Sequence, residues 1–172
     1  AAAPGNGGGP SATIVGTNGP DDITIIARDS STHAGTDGVQ DFTVAFSAGG
    51  EVQFTFLFID TPSLTVNAAP GSDQVVLVTP APNQAEWDVD VTINGGEPSA
   101  SDRMIVRTPG NDRVLWTPSG PSSGLMVVDE ALNDSNININ GIEELVYDGD
   151  AGDDELVIIG TTMSDVIELL PG

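Results

Sequence analysis

One short signature recurs along the chain and constrains its fold more than any other feature. It consists of glycine, any residue, aspartate, and then apolar residues at alternate positions. Its copies are Gly19-Pro20-Asp21-Asp22-Ile23-Thr24-Ile25, Gly71-Ser72-Asp73-Gln74-Val75-Val76-Leu77, Gly110-Asn111-Asp112-Arg113-Val114-Leu115-Trp116, Gly152-Asp153-Asp154-Glu155-Leu156-Val157-Ile158 and Met163-Ser164-Asp165-Val166-Ile167-Glu168-Leu169, the last with methionine for glycine. Glycine and aspartate favour turns, and a period of two is typical of a strand with one buried face. Each copy therefore predicts a turn that leads into a strand.

The spacing of the copies predicts how these strands are arranged. Successive aspartates of the signature are separated by 52, 39, 42 and 11 residues. If one coil of a solenoid takes roughly 20 residues, steps near 40 place a signature in every second coil. The longer first step predicts an insertion around His33 to Gln40. The sequence thus predicts an all-β fold, a β-solenoid of the parallel β-helix or β-roll kind with Gly-Asp turns, in which each coil needs its neighbours to bury its apolar face. A β-sandwich that reuses Gly-Asp turns is the alternative.

Further alternating runs lie between the signatures. Phe42, Val44 and Phe46 precede Gly49-Gly50, and a second apolar run, Val52 to Phe58, follows. Two such runs around Gly-Gly predict an antiparallel β-hairpin, which counts against a purely parallel coil. Residues 1–11 are rich in glycine and proline and are interpreted as a flexible arm. Residues 12–172 are interpreted as a single all-β repeat domain.

The charge of the chain limits its partners. The 172 residues include 26 Asp and Glu against 4 basic residues, which gives a formal net charge of −22. A nucleic-acid binder needs a basic surface to neutralise phosphates, so we expect no nucleic-acid partner. No run of about 18 apolar residues occurs, so we expect no membrane insertion. The chain has no cysteine, which excludes disulfides and thiolate metal sites.

Two stretches of the chain resemble the calcium-binding nonapeptide of haemolysin-type (RTX) proteins, Gly-Gly-x-Gly-x-Asp-x-apolar-x. They are Gly149-Asp150-Ala151-Gly152-Asp153-Asp154-Glu155-Leu156-Val157 and Gly16-Thr17-Asn18-Gly19-Pro20-Asp21-Asp22-Ile23-Thr24. Asp150 and Thr17 stand where that family has its second glycine. The resemblance is to the degenerate repeats of large bacterial surface proteins. It implies a secreted β-roll in which turn carbonyls and the aspartate carboxylate coordinate Ca²⁺ between stacked turns.

The acidic turns also suit calcium on chemical grounds. Ca²⁺ takes six to eight hard oxygen ligands in a flexible cage, and carboxylates with glycine carbonyls supply them. Residues 143–155 form a dense anionic patch. The predicted metal ligands are Asp148, Asp150, Asp153 and Asp154 in this patch, together with the signature residues Asp21, Asp73, Asp112 and Asp165. The alternative is that Asp and Gly simply satisfy the turns and that a solvated acidic face needs no metal.

Few residues could support catalysis. His33 is the only histidine, and it lies in a polar stretch next to Ser31 and Thr32. Acidic pairs such as Asp88 with Asp90 could act as general acid and base on a polysaccharide. However, the chain lacks lysine and so offers few cations for uronate substrates. We therefore expect no enzyme, and an acidic-pair hydrolase or lyase is the least favoured alternative.

The favoured function is a non-enzymatic extracellular module, secreted by a prokaryote and stabilised by Ca²⁺. Such a module would build a surface layer, an adhesin stalk or a self-assembling filament, with copies of itself or other surface proteins as partners. The stretch Ala12-Thr13-Ile14-Val15 could add as a strand to a neighbouring molecule. The alternative is a carbohydrate-binding β-sandwich that uses an exposed Trp87 or Trp116 to stack on a glycan.

Overall fold

The chain is all-β. A computed structural model describes residues 10–28, 39–80, 87–96, 101–129, 135–150 and 152–160. Strands make up 61% of these residues, and none of them is helical. The strands are β1 (Ser11–Val15), β2 (Asp21–Ala27), β3 (Phe42–Ala48), β4 (Glu51–Phe58), β5 (Ser63–Asn67), β6 (Gln74–Val78), β7 (Asp90–Asn94), β8 (Arg103–Arg107), β9 (Arg113–Gly120), β10 (Ser123–Asp129), β11 (Ser135–Asn140), β12 (Glu144–Asp148) and β13 (Glu155–Ile158). The stretches described therefore include no helix that could cross a membrane.

The strands form two mixed sheets. Sheet A has seven strands in the order β1-β5-β7-β11-β10-β9-β13. Sheet B has six strands in the order β12-β8-β6-β2-β3-β4. Neither sheet closes on itself. β1, which the sequence suggested as a strand for a neighbouring molecule, pairs with β5 on one side and is the last strand of sheet A among those described.

Four strand–turn–strand units lie side by side and in register. In sheet A, β1, β5, β7 and β11 are parallel, and in sheet B their chain successors β2, β6, β8 and β12 are parallel in the same order. Each unit thus crosses from sheet A to sheet B through one turn. Because a slip of one residue would turn every inward side chain outward, the apolar alternation fixes this register.

Antiparallel strands extend the two sheets at opposite ends. The hairpin β3–β4 continues sheet B beyond β2, which confirms the hairpin predicted around Gly49-Gly50. Both glycines have a positive φ, 60° and 84°, as a tight hairpin turn requires. The two strands of this hairpin account for much of the long separation between the first signature, at Asp21, and the second, at Asp73. His33 and most of the predicted insertion lie outside the described residues.

The core lies between the sheets and is built from the inward side chains of both. Trp87 is fully buried, its Nε1 donates to the carbonyl oxygen of Asp41 at 2.9 Å, and its ring meets Phe42 edge to face. Trp87 therefore has no exposed ring on which a glycan could stack. The alternative in which an exposed Trp87 stacks on a glycan is wrong, because Trp87 packs in the core against Phe42.

The stagger of the sheets leaves apolar side chains uncovered at both ends. β4 extends beyond the end of sheet A, and its Phe54 and Phe56 are 37% and 50% exposed. Phe54 pairs across the hairpin with the core residue Phe46, so it belongs to the inner face of sheet B. At the other end, Leu156 and Ile158 of β13 are 42% and 38% exposed. Each end of the molecule thus has one overhanging sheet with an apolar inner face.

Candidate functional site

A row of carboxylates runs across the turns that connect sheet A to sheet B. In each of the four units, one acidic residue stands at the same register position at the start of the sheet B strand. These residues, which we call the acid ladder, are Asp21, Asp73, Asp102 and Glu143. The N–H of Asp21 donates to Oδ1 of Asp73 at 2.8 Å. The N–H of Asp73 donates to Oδ1 of Asp102 at 2.9 Å, and that of Asp102 to Oε2 of Glu143 at 2.8 Å.

The acid ladder provides hydrogen-bond acceptors for backbone N–H groups at the start of the sheet B strands. A buried N–H without a partner costs about as much as a lost hydrogen bond, so each carboxylate stabilises the turn of the neighbouring unit. Asp21, the first in the row, also organises its own turn. Its Oδ2 accepts the N–H of Thr17 at 2.5 Å, and its Oδ1 lies 3.0 Å from the Thr17 hydroxyl. Hydrogen bonds from backbone N–H groups to carboxylates therefore join adjacent units.

The middle of the acid ladder is buried and incompletely paired. Asp73 and Asp102 are 2% and 1% exposed, and the Oδ2 atom of each has no hydrogen-bond partner in the part of the chain that the structure describes. Burial raises the pKa of Asp73 to about 6, and the charges of Asp102 and Asp21 act in the same direction. The N–H of Asp21 opposes this rise. Burial likewise raises the pKa of Asp102, with the charge of Glu143 adding to it.

A second, shorter row occupies the opposite corner, where sheet B leads back to sheet A. The N–H of Asp112 donates to Oδ1 of Asp154 at 3.0 Å. Oδ2 of Asp112 has no partner among the described residues, and burial, followed by the charge of Asp154, raises the pKa of Asp112. Asp112 and Asp154 therefore share the signature of Asp21 and Asp73 but lie at a different corner. This difference explains why the signatures do not recur at one fixed period.

Asparagines form another ladder, on the sheet A side of the turns that carry the acid ladder. Asn67, Asn94 and Asn140 end β5, β7 and β11 in register. Nδ2 of Asn94 donates to Oδ1 of Asn67 at 2.8 Å, and Nδ2 of Asn140 donates to Oδ1 of Asn94 at 3.1 Å. Stacked asparagines of this kind hold identical positions of neighbouring strands in register. These turns therefore have a row of asparagine side chains on the sheet A side and the acid ladder on the sheet B side.

Glycines make room for the carboxylates inside these turns. A Cβ on Gly95 would overlap the carbonyl oxygen of Gly141 and lie 2.7 Å from Oδ2 of Asp102. A Cβ on Gly16 would meet the carbonyl oxygen of Ala68 and Oδ2 of Asp21 in the same way. The acidic side chain therefore folds back over a glycine, and the adjacent unit closes the space from the other side. Both turns accept only glycine at this position for steric reasons.

The predicted calcium ligands that the structure describes do not form a cluster of three or more. Oδ2 of Asp148 accepts Nε of Arg107 at 2.9 Å, and Oδ1 of Asp154 accepts the N–H of Asp112. Asp150 and Asp153 are exposed. Within the described ranges, no group of three or more His, Cys, Asp or Glu side chains is arranged to hold a metal ion. Asp165 lies outside the described residues. The buried carboxylate oxygens without a hydrogen-bond partner among the described residues are the Oδ2 atoms of Asp73, Asp102 and Asp112, and Asp73 and Asp112 belong to the predicted ligands.

Three arginines connect neighbouring strands on the surface. Arg103, Arg107 and Arg113 each lie within 3.3 Å of the acidic residue opposite them on the next strand, namely Glu144, Asp148 and Glu155. Both partners of each pair are 42% to 64% exposed, so each pair contributes little to stability. The arrangement nevertheless follows the same rule as the two ladders, in which a side chain contacts its register partner on the adjacent strand.

Sequence reasoning missed Asp102, Glu143 and the asparagine ladder. Asp102 has Ala100 where the signature has glycine, and Glu143 follows Gly141 but is a glutamate, so the signature included neither. A simpler pattern, an acidic residue followed by apolar residues two and four positions later, does include them through Met104 with Val106 and Leu145 with Tyr147. The requirement for both glycine and aspartate therefore hid two of the four members of the acid ladder.

An apolar cleft of about 210 Å³ opens at the β13 end of the molecule. It is lined by Trp116, Met126, Leu145, Tyr147, Leu156 and Ile158. The hydroxyl of Tyr147 lies 2.9 Å from Oγ1 of Thr108, which anchors its polar end. The cleft therefore presents mainly hydrocarbon and aromatic surface between β12 of sheet B and the overhanging strands of sheet A.

No protein-family model, curated protein or solved structure matches the chain.

Proposed function

We propose that this chain is a non-enzymatic structural module of the extracellular space, a short β-solenoid of two sheets. Its four strand–turn–strand units act as the coils of the solenoid, and the two overhanging ends act as its joints. The observation that carries the proposal is the acid ladder, which joins each coil to the next through hydrogen bonds from backbone N–H groups to carboxylates.

The chemistry of the charged groups supports a structural role. A catalytic carboxylate needs access to a substrate, whereas Asp73 and Asp102 are buried and accept hydrogen bonds from the backbone of the adjacent coil. Three of the four arginines pair with carboxylates of adjacent strands rather than facing a common cavity. The polar side chains named above thus serve contacts between coils, as expected of a scaffold.

The open edges of the sheets support assembly. Among the strands that the structure describes, β1 and β13 end sheet A, while β12 and β4 end sheet B. Edge strands present unpaired backbone groups that another strand can pair with. The module would accordingly stack with copies of itself or with other surface proteins in a surface layer, an adhesin stalk or a filament. Secretion by a prokaryote belongs to the same proposal and is supported by the resemblance of the Gly-Asp turns to haemolysin-type repeats.

Calcium enters the proposal as a stabilising ion. A net charge of −22 makes the compact state costly through repulsion between carboxylates, and a bound cation reduces that cost. The unpaired Oδ2 atoms of Asp73 and Asp102 are the described atoms best suited to receive a cation. The exposed acidic turn around Asp150 and Asp153 is the second place where Ca²⁺ would bind.

The test is thermal unfolding followed by circular dichroism, in millimolar Ca²⁺ and then in EGTA, with light scattering recorded in parallel. If Ca²⁺ is present at about a hundred times its dissociation constant, the midpoint should rise by about 5–10 °C. Magnesium at equal concentration is the control, since it dehydrates reluctantly and should shift the midpoint less. An unchanged midpoint would contradict stabilisation by calcium. An unchanged scattering signal at high protein concentration would contradict assembly.

A further inference from the structure

Two members of the asparagine ladder are followed by glycine. Asn94 precedes Gly95, and Asn140 precedes Gly141. Asparagine is a chemically labile residue. It is most labile before glycine, because the backbone nitrogen of the next residue can attack the side-chain amide and glycine has no Cβ to hinder the attack. The ladder therefore holds the same reactive dipeptide twice, at positions that are register partners on adjacent strands.

The inner pair, Asn94-Gly95, is held at both of its reacting groups. The side-chain amide of Asn94 donates to Oδ1 of Asn67 at 2.8 Å and accepts Nδ2 of Asn140 at 3.1 Å. The N–H of Gly95, which carries the attacking nitrogen, donates to the carbonyl oxygen of Asn140 at 2.9 Å, and Gly95 is buried. Attack on Asn94 therefore requires the third strand–turn–strand unit to separate from the fourth.

The outer pair, Asn140-Gly141, lacks this restraint because the parallel part of sheet A ends there. The next strand, β10, runs antiparallel to β11, and the pairing of the two stops at Gly124 and Ile139. No described residue accepts the N–H of Gly141. Asn140 is exposed, and the one hydrogen bond that the structure describes for its side chain goes to Asn94. Attack at this position therefore breaks a single exposed hydrogen bond.

The structure describes one more Asn-Gly dipeptide, which lies outside the ladder. In Asn18-Gly19, the N–H of Gly19 donates to Oγ1 of Thr17 at 3.2 Å. Of the three Asn-Gly dipeptides in the described residues, Asn140-Gly141 is thus the one whose attacking nitrogen has no described acceptor.

We propose that Asn140 is a site of spontaneous modification in the folded chain, where deamidation yields aspartate or isoaspartate. The nitrogen of Gly141 attacks Cγ of Asn140, so that a bond between these two atoms forms and the Cγ–Nδ2 bond breaks. Nδ2 leaves as ammonia with the proton of the Gly141 N–H, and a cyclic imide remains. Addition of water at Cγ breaks the new bond and gives aspartate. Addition of water at the main-chain carbonyl carbon breaks the original peptide bond and gives isoaspartate.

The modification at the open end of the ladder removes restraints on the inner pair. Neither product has an Nδ2 to donate to Oδ1 of Asn94, and each adds a negative charge to a chain whose formal net charge is −22. In isoaspartate the main chain runs through Cγ, so the carbonyl group that accepts the N–H of Gly95 becomes part of a branching carboxylate and is displaced. Asn94 is therefore the next residue to deamidate, and modification proceeds from the open end inward.

Peptide mass spectrometry of the wild-type chain tests the first step. Trypsin cleaves after Arg103 and Arg113, so Asn94 and Asn140 fall on separate peptides. During incubation of the native chain at mildly alkaline pH, Asn140 should convert from amide to acid at least about ten times faster than Asn94, because attack on Asn94 requires local opening. The chain unfolded in urea is the matched control. There the two rates should be nearly equal, since both sites read Ile-Asn-Gly. A native ratio no larger than the ratio in urea would overturn the proposal.

The variant Asn140→Gln tests the inward order. Glutamine keeps an amide and the main-chain carbonyl, but its longer side chain forms the cyclic imide far more slowly. In the wild-type chain, deamidation of Asn94 should begin slowly and accelerate as Asn140 is consumed, whereas in Asn140→Gln it should keep its slow initial rate. Asn18→Gln removes the dipeptide outside the ladder and should leave the wild-type time course at Asn94 unchanged. The same acceleration at Asn94 in Asn140→Gln as in the wild type would overturn the inward order.

Discussion

At the scale of single residues, Asp73 shows how a buried carboxylate can join two units although burial disfavours its charged form. Its Oδ1 accepts the N–H of Asp21, while its Oδ2 has no partner among the described residues. The hydrogen bond favours the carboxylate, but burial and the neighbouring charges disfavour it more strongly, so the pKa rises from 3.8 to about 6. Asp73 therefore strengthens the stack most when it is neutral.

This raised pKa predicts how stability depends on pH. The contribution of Asp73 is fully present below its unfolded-state pKa of 3.8 and is lost as the pH rises through about 6. The shift corresponds to on the order of 3 kcal/mol. Urea unfolding between pH 4 and pH 8, without divalent cations, should therefore show a lower free energy of unfolding at the high end of this range. The raised pKa values of Asp102 and Asp112 add to the trend.

The variant Asp73→Asn isolates this effect. It keeps an oxygen to accept the N–H of Asp21 but removes the charge, so the loss of stability between pH 4 and pH 8 should shrink. Asp150→Asn, which removes an exposed charge, is the matched control and should keep the wild-type pH dependence. The assignment to Asp73 would be contradicted if Asp73→Asn kept the full pH dependence.

At the scale of elements, the sequence predicted strands better than it predicted their partners. The Gly-Asp signatures and the Gly49-Gly50 hairpin were found because turn chemistry and alternation are local properties. The pairing between units was not predictable in the same way. Asp102 joins the row through its register with Asp73, 29 positions earlier, and no local pattern encodes that contact. The burial of Trp87 also depends on distant strands, which is why the sequence left an exposed Trp87 open as an alternative.

The turns themselves predict a strong steric effect at one position. In Gly95→Ala, the new Cβ would overlap the carbonyl oxygen of Gly141 and press against Oδ2 of Asp102, so the turn and its acid ladder contact must shift. The free energy of unfolding should fall by about 2–3 kcal/mol. Gly19→Ala is the control, because its nearest neighbour, Oγ1 of Thr17, would lie 4.0 Å away. Denaturant unfolding of both variants measures the difference, and equal losses would contradict the described packing of the turn.

At the scale of the whole molecule, the stagger of the two sheets is the property most relevant to assembly. Sheet B overhangs at β4 and sheet A overhangs at β13, so within the described part of the chain each end combines a terminal strand with exposed apolar side chains. Exposed apolar surface bordered by polar residues is typical of interaction sites. The polar ladders lie between these ends and hold the units in register. This arrangement suits a rigid block that joins others end to end.

The exposed aromatic end predicts a variant that separates assembly from folding. Phe56 is 50% exposed and contacts Phe54 and Phe58 of the same strand. Phe56→Ser should weaken self-association in sedimentation velocity while lowering the free energy of unfolding by only about 1 kcal/mol. Val39→Ser alters a 41% exposed apolar residue outside the strands and should leave association unchanged. If both variants associate like the wild type, the β4 overhang is not a joint.

The most direct test of the acid ladder is amide hydrogen exchange of the full chain in EGTA. The N–H groups of Asp21, Asp73 and Asp102 donate to carboxylates of adjacent units. They should therefore exchange as slowly as core strand amides such as that of Ile25, without any calcium present. Rapid exchange at these three amides in EGTA, with protection appearing only after Ca²⁺ is added, would contradict the account. That result would mean that the metal, rather than the carboxylate ladder, holds the units together.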